Sequence, residues 1–256
     1  MDQSSNIPSL AFVINLCSGG SLEPNDNRIR HLAHLFNGHR LPATWAVDNV
    51  ERAKLLDDSQ FARSNNELAL VISSEEDIST RPFATRLRSQ VSALNRMTST
   101  AISLVVGNPS TLQGQASVLS KQGIGAILVN MSDPQVLPTR QPSAPRPMGC
   151  SLWQLAPTVT LPLPRRLWRL LPARHCSVKQ LLSTGKSIGT TLVVIRAEEL
   201  GRKSARSLQS FEKLLREVSW AASHSLLSVV NTSEVVAELA DQRRVKPQRS
   251  ILRAAA

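Results

Sequence analysis

The 256-residue sequence predicts an α/β protein built as one barrel-like domain of mostly parallel strands. Short apolar runs bounded by turn residues alternate with stretches of helical periodicity, which is the order of repeated βα units. Gly38 with Pro42, and Gly123, mark returns from helix to strand, so that VLSKQGIGAILVN repeats the rhythm of HLFNGHRLPATWAV. The length suits a single α/β barrel and suffices to bury a substantial core.

Residues 1–9 read as a disordered lead, and LAFVINL (10–16) as the first strand. CSGGSLEPNDN is a turn-rich loop whose Asn and Asp can cap the helix at 26–37. In that helix Ile29, Leu32, Leu35 and Phe36 form one apolar stripe, and Gly38 sits where a residue tolerant of positive φ would stop it. Pro42 blocks continuation, and 43–47 follows as a buried strand. Asp48, with Glu51 three residues on, predicts a capped helix over NVERAKLL. ELALVIS (67–73) reads as a strand buried on both faces.

Phe83, Leu87, Val91 and Leu94 predict a helix to about Met97, then a strand at 100–106, a helix at 110–121 stopped by Gly123, and a strand at 124–130. From 131 to 174 the alternation fails in a proline-rich, basic excursion, with SLWQLAPTVTL as the candidate sixth strand. A helix at 177–184, a strand at 189–195 and an amphipathic helix at 204–222 come next. A last short strand then precedes a helix capped by Thr232 or Ser233. The domain spans 10–240, and 241–256 reads as a disordered basic tail.

The net charge is +11, but it is concentrated: 131–191 and 242–256 hold thirteen Lys/Arg against one acid. The remainder is near neutral, which argues against a nucleic-acid binder as a whole. Within PLPRRLWRLLPAR, Arg165, Arg166 and Arg169 interleave with Trp168 and could hold an anion or an acidic partner, as could the tail. No apolar run spans a bilayer, and no secretory signal opens the chain. Cys17, Cys150 and Cys176 make neither a disulfide framework nor a zinc motif, so a reducing, cytoplasmic setting is expected.

The segment H-R-L-P-A-T-W-A-V (39–47), after a helix ending in a leucine-rich turn, resembles the early segment of the polysaccharide deacetylase (NodB-homology) family. The order of elements agrees from about 10 to 240, and the lettered similarity lies in 28–47 and 204–239. The resemblance implies an irregular (β/α) barrel of the glycoside hydrolase and deacetylase type, a carbohydrate partner, and a divalent metal such as Zn held by an Asp and two His. A second Asp is the family's general base, and the metal activates a bound water.

Those positions have changed. Where the family has [TS]-F-D-D-G, this chain has Cys17 and Ser18 before Gly19. Where it has G-H-E-[IL]-[AG]-x-H and a further His, Asn66–Leu70 matches the lead-in, but Val71 and Glu75 stand at the ligand positions. R-x-P-x-G is reduced to Gly107-Asn108-Pro109, and no His lies between 176 and 223. His31, His34, His39, His175 and His224 fall on predicted helices or helix ends.

With Ser18, Val71 and Glu75 at the ligand positions, no resident metal or other cofactor is expected. The first functional expectation is a deacetylase-like protein of carbohydrate metabolism, acting by binding or scaffolding without metal-dependent deacetylation. A second is an active hydrolase of carbohydrate amide bonds with a rebuilt site, its residual pocket drawn from Cys17, Ser18, Asp48, Glu75 and Glu198. A third is a basic module that binds nucleic acid or a membrane surface.

Overall fold

SLAFVIN forms the central strand β1 (Ser9–Asn15), nearly every residue of it buried. A strand covered on both faces has no polar side to alternate with, and this run carries one polar residue after Ser9, the buried Asn15. The computed structural model describes residues 7–17, 26–56, 65–72, 82–98, 101–129, 144–161, 177–179, 181, 190–200 and 205–245, the side chains of 205–207 and 242–245 excepted. Parallel to β1 run β2 (Thr44–Val47), β3 (Glu67–Val71), β4 (Leu104–Gly107) and β5 (Ala126–Val129) on one side. β9 (Thr190–Arg196) lies on the other side, paired along the whole length of β1. A short β10 (Ser228–Val229) fills the edge of β1 below β2.

The expected sixth strand is two strands. β7 (Trp153–Leu155) pairs in parallel with β5, and antiparallel with β6 (Arg146–Pro147). β8 (Val159–Leu161) pairs with β9, near the opposite end of the strand order β6-β7-β5-β4-β3-β2-β1-β9-β8. Only Ala156, Pro157 and Thr158 join β7 to β8, and four Cα steps reach at most about 15 Å. The two ends of the strand order therefore lie side by side, and the sheet curls into an irregular barrel. Pro157 cannot donate to a ladder, and the chain changes partner there: Thr158 N donates to Leu192 O at 2.8 Å. The segment read as an excursion over 131–174 thus contributes strands to the sheet.

The helices pack outside and at one end. α1 (Asp26–Gly38) buries Ile29, Leu32, Ala33 and Phe36, as its stripe predicts. Phe36 meets Phe12, Trp45 and Phe211 with ring centroids 5.3, 5.9 and 6.1 Å away, tying α1 and α6 (Ala205–Ser223) to the sheet. Gly38 does not take the left-handed conformation expected of it. Arg40 does (φ +53°), because Leu41 N closes back on Phe36 O at 3.0 Å and so buries the Leu41 side chain. α2 (Val50–Lys54) is capped by Asn49, whose side chain accepts from Arg52 N, and not by Asp48.

α3 (Pro82–Asn95) follows its predicted stripe. The helix expected over 110–121 breaks into α4 (Pro109–Gln113) and α5 (Ala116–Lys121), and Gly123 ends it at φ +84° as predicted. α7 (Thr232–Val245) begins after Asn231, whose N–H donates to Glu234 at 3.4 Å, and runs past Ala240, so 241–245 of the expected tail are helical; 246–256 lie outside the described residues.

Candidate functional site

Alternation along the strands separates two apolar layers. Phe12, Ile14, Trp45, Leu70 and Val105 face the helices. Ala11, Val13, Ala46, Ala69, Val71, Leu104, Val106, Ala126, Leu128, Leu192 and Val194 face the barrel interior, joined there by Val235 of α7. The lower end is closed. Glu67 and Thr44 lie opposite each other at the starts of β3 and β2, and their side chains meet the first turn of α7. The buried Glu67 carboxylate accepts from Thr44 Oγ1 (3.2 Å), Thr232 Oγ1 (3.1 Å), Ser233 N (3.2 Å) and Ser233 Oγ. A carboxylate at a helix N-terminus also complements the helix dipole. α7 comes so close to β5 that a Cβ on Gly125 would sit 2.6 Å from Val236 Cγ1.

The open end is the C-terminal edge of the strands, where barrel enzymes assemble their sites. Ladder bonds continue there past the strand ends: Leu16 N to Ala46 O (3.0 Å), Ala197 N to Asn15 O (3.1 Å) and Ile72 N to Val106 O (2.9 Å). Cys17 follows the end of β1, and its N–H is held by Asn15 Oδ1 at 2.9 Å. Asp48 follows β2, and its Oδ2 lies 3.4 Å from Arg52 on α2. Arg52 also donates to Leu16 O at 3.0 Å, which locks it across the ends of both strands. Asp48 and Arg52 both reach the Cys17 thiol, but burial dominates its ionisation and, helped by Asp48, pushes the pKa up to about 12. The thiol is therefore neutral and a poor nucleophile near neutrality.

A small cavity of about 80 Å³ opens between the ends of β2 and β3 and the first half of α3, lined by Asp48, Val71, Ile72, Phe83, Arg86 and Gln90 among others. It has room for a few waters or one small polar substituent of a larger ligand. The Oδ1 atom of Asp48 is buried and has no hydrogen-bond partner among the described residues. Arg86 and Gln90 add donors on the opposite wall.

The structure thus gathers Cys17, Asp48 and Val71 at the open end of neighbouring strands. Glu198 lies in the turn after β9, where its carbonyl accepts from Arg28 at 3.1 Å. Ser18, Glu75, Arg165, Arg166 and Arg169 lie outside the described residues. His31 and His34 are exposed on α1, away from the barrel interior, and His224 is exposed after α6. Arg52, Arg86 and Gln90 were missed by sequence reasoning. Arg52 had a signal, its i,i+4 spacing from Asp48. Arg86 and Gln90 had none, since they stand one turn apart on a helix with polar residues all along it.

The metal that the resemblance implies does not fit the residues described. Val71 offers a buried hydrocarbon, the Cys17 thiol is protonated, and Asp48 is tied to Arg52. Among the described residues no group of three or more His, Cys, Asp or Glu could hold a metal ion.

No protein-family model matches the chain, and no curated protein matches it in sequence. Solved structures do match in fold. One assigned as a polysaccharide deacetylase from Mycobacterium smegmatis superposes with TM-score 0.59 at 13% identity, over 97% of this chain and 95% of that one. One similarly assigned from Pseudomonas aeruginosa gives 0.54 at 12%, over 94% and 92%. The 4-alpha-glucanotransferase of Thermococcus litoralis gives 0.57 at 14%, over 90% of this chain but 40% of that protein. The chain has the fold of these deacetylase structures, an irregular (β/α) barrel, as the resemblance implied.

Proposed function

We propose that the protein binds carbohydrate at the open end of its barrel and does not carry out metal-dependent deacetylation. The observation that carries this reading is the apolar filling of that end. Val71 and Cys17, 5% and 6% exposed, belong to one buried cluster with Val106 and Leu128. A catalytic metal needs about three protein ligands and an open position for water. Here the sole carboxylate between β2 and β3 in the described part is Asp48, already neutralised by Arg52. A carbohydrate ligand is supported by the likeness in fold to structures assigned as polysaccharide deacetylases. The cavity beside Asp48, Arg86 and Gln90 offers both donors and an acceptor to a hydroxyl or amide group.

The alternative, a working hydrolase rebuilt around Cys17, Asp48 and Glu75, is disfavoured by the same geometry. Among the described residues the charged groups that reach Cys17 are Asp48, a weak base whose negative charge disfavours the thiolate, and Arg52, whose guanidinium cannot take the proton; Glu75 lies outside the described residues.

The test uses the full chain, with calorimetric titration of oligomers of N-acetylated amino sugars, and with acetate release followed with and without added Zn. Binding without acetate release is expected. Chelator-sensitive release of acetate by the unaltered protein overturns the non-catalytic reading. Absence of binding to any acetylated oligomer overturns the carbohydrate reading.

A further inference from the structure

Charge is segregated around this barrel. Residues 78–197 hold fourteen Lys/Arg and one acid, Asp133, whereas the rest of the chain holds sixteen Lys/Arg against eighteen acids. The acid-poor half supplies every element from α3 to β9, and these are neighbours around the wall: β4, β5, β7 and β6, then β8 and β9 across the seam. Among the described residues of that half there is no Asp or Glu. Glu75, Glu76 and Asp77 precede it and lie outside the described residues.

Four of its cations are exposed in lateral succession on the outer surface. On α3 the stripe of Phe83, Leu87, Val91 and Leu94 faces the core, so Arg88 and, past the last turn, Arg96 project away from it, roughly 12 Å apart along the axis. Lys121 ends α5, which covers the next step of the sheet. Asn95 Oδ1 accepts from Ile102 N at 2.9 Å, which ties the end of α3 to the entry of β4. Gly125 N and Ala126 N donate to Ser103 O at 2.8 and 3.1 Å, which sets the entry of β5 beside it and brings Arg96 and Lys121 to adjacent helix ends. Arg146 comes next. It lies opposite Gln154, and Gln154 faces outward because Trp153 and Leu155 on either side of it face the interior.

None of the four is engaged in an ion pair. On flanking α2 and after β9, Asp48, Glu51 and Glu199 are paired with Arg52, Lys54 and Arg196. Glu234, Glu238 and Asp241 are exposed on α7, which closes the lower end, and none of them pairs with these cations.

We propose that this wall is a docking surface for an acidic polysaccharide, a chain whose sugars carry carboxylates, with Arg88, Arg96, Lys121 and Arg146 each meeting a carboxylate. The sugar rests on the carbohydrate reading above, and the charge is what this wall adds to it. α3 joins the two, because Arg86 and Gln90 line the cavity at the open end and Arg88 and Arg96 continue from there along the outer wall. The spacing favours a sparsely charged polymer. Neighbouring helices pack about 8–10 Å apart, so the cations stand singly, whereas duplex DNA carries a charge about every 1.7 Å. Single-stranded nucleic acid stacks its bases on exposed aromatic rings. The exposed large hydrophobics among the described residues, Ile7, Trp220 and Leu226, all lie in the other half of the chain, and the sequence has no Tyr.

The test is calorimetric titration of the full chain with an oligogalacturonate, with its methyl ester, and with a single-stranded oligonucleotide of equal charge. Expected is binding of the oligogalacturonate that weakens about tenfold or more from low to high salt, with the ester and the oligonucleotide at least tenfold weaker. The quadruple variant Arg88→Gln, Arg96→Gln, Lys121→Gln, Arg146→Gln should lose at least tenfold in affinity. Its Tm and its titration with neutral N-acetylated oligomers should be unchanged, since the replaced side chains are exposed and outside the cavity. A control of equal charge on the other half, Arg30→Gln, Arg40→Gln, Lys213→Gln, Arg216→Gln, should stay within about twofold of the parent. Unchanged binding in the first variant, an equal loss in the control, or an ester or oligonucleotide bound as tightly as the acid would each overturn the proposal. No binding of the oligogalacturonate overturns it as well, and the carbohydrate reading then stands or falls on the neutral oligomers alone.

Discussion

Cys17 is where chemistry at the open end can be measured directly. Its thiol is neutral because burial, aided by Asp48, disfavours the thiolate, with Arg52 only partly compensating. The folded pKa, about 12, lies above the ordinary 9.0, so the unfolded chain ionises first as pH rises. The contribution to stability is whole below pH 9 and is lost between about 9 and 12, an effect on the order of a few kcal/mol at most. The Cys17→Ala variant should therefore lose less Tm between pH 8 and pH 11 than the parent does. Parallel Tm curves for the two proteins would count against a buried neutral thiol. At pH 8 the exposed Cys150 should react with iodoacetamide in the folded protein while Cys17 does not, as peptide mapping would reveal.

At the level of elements, α7 is held to the sheet by a buried carboxylate and by a close approach. Glu67→Ala would remove the carboxylate that accepts from Thr44, Thr232 and Ser233, leaving the two Thr hydroxyls only each other at 2.9 Å, and strip the helix of its anionic cap. A loss of about 2–4 kcal/mol is expected, with Glu67→Gln losing less, in denaturant unfolding. Two glycines should respond with opposite signs. Gly38→Ala adds a methyl into open space in the last turn of α1 and should stabilise by about 0.5–1 kcal/mol. Gly125→Ala drives a Cβ into Val236 and should destabilise by about 1–3 kcal/mol, with Val236→Ala relieving part of the loss. The sequence could not have separated these two residues. Gly38 read as a helix stop and Gly125 as part of the strand at 124–130, because the sequence shows that a glycine is present but not whether it serves φ, space or neither. The same limit explains Asp48. Its neighbour Asn49 caps α2, since two adjacent capping residues differ only in where the chain turns. The buried strands and the stripe of α1 were legible because burial on one or both faces writes a period into the chain. The partner change at Pro157 was not, since nothing in the pattern of SLWQLAPTVTL says which strand it will meet.

For the whole molecule, the question is whether the barrel frames the metal site that the resemblance implies, although its side chains do not supply the ligands. The positions that the resemblance assigns to ligands read Ser18, Val71 and Glu75. Those substitutions were legible from sequence alone, but the apolar filling around Val71 was not, because it depends on β3, β4 and β5 lying in register. That register still sets the ends of β1, β2 and β3 side by side, with Asp48 beside them. Ser18→Asp, Val71→His and Glu75→His together should therefore create a site that binds Zn at near one equivalent, measured by titration against a chelating dye, while the parent binds none. Val71→His alone should bind no metal and should lower stability, because a buried imidazole without a partner costs about 1–3 kcal/mol. Adding the two neighbouring ligands should recover part of that loss when Zn is present, since a metal that binds only the native state stabilises it. A triple variant that folds but gains neither Zn binding nor Zn-dependent Tm would mean that the loops after β1 and β3 no longer converge. The departure from the deacetylases would then lie in the backbone as well as in three side chains.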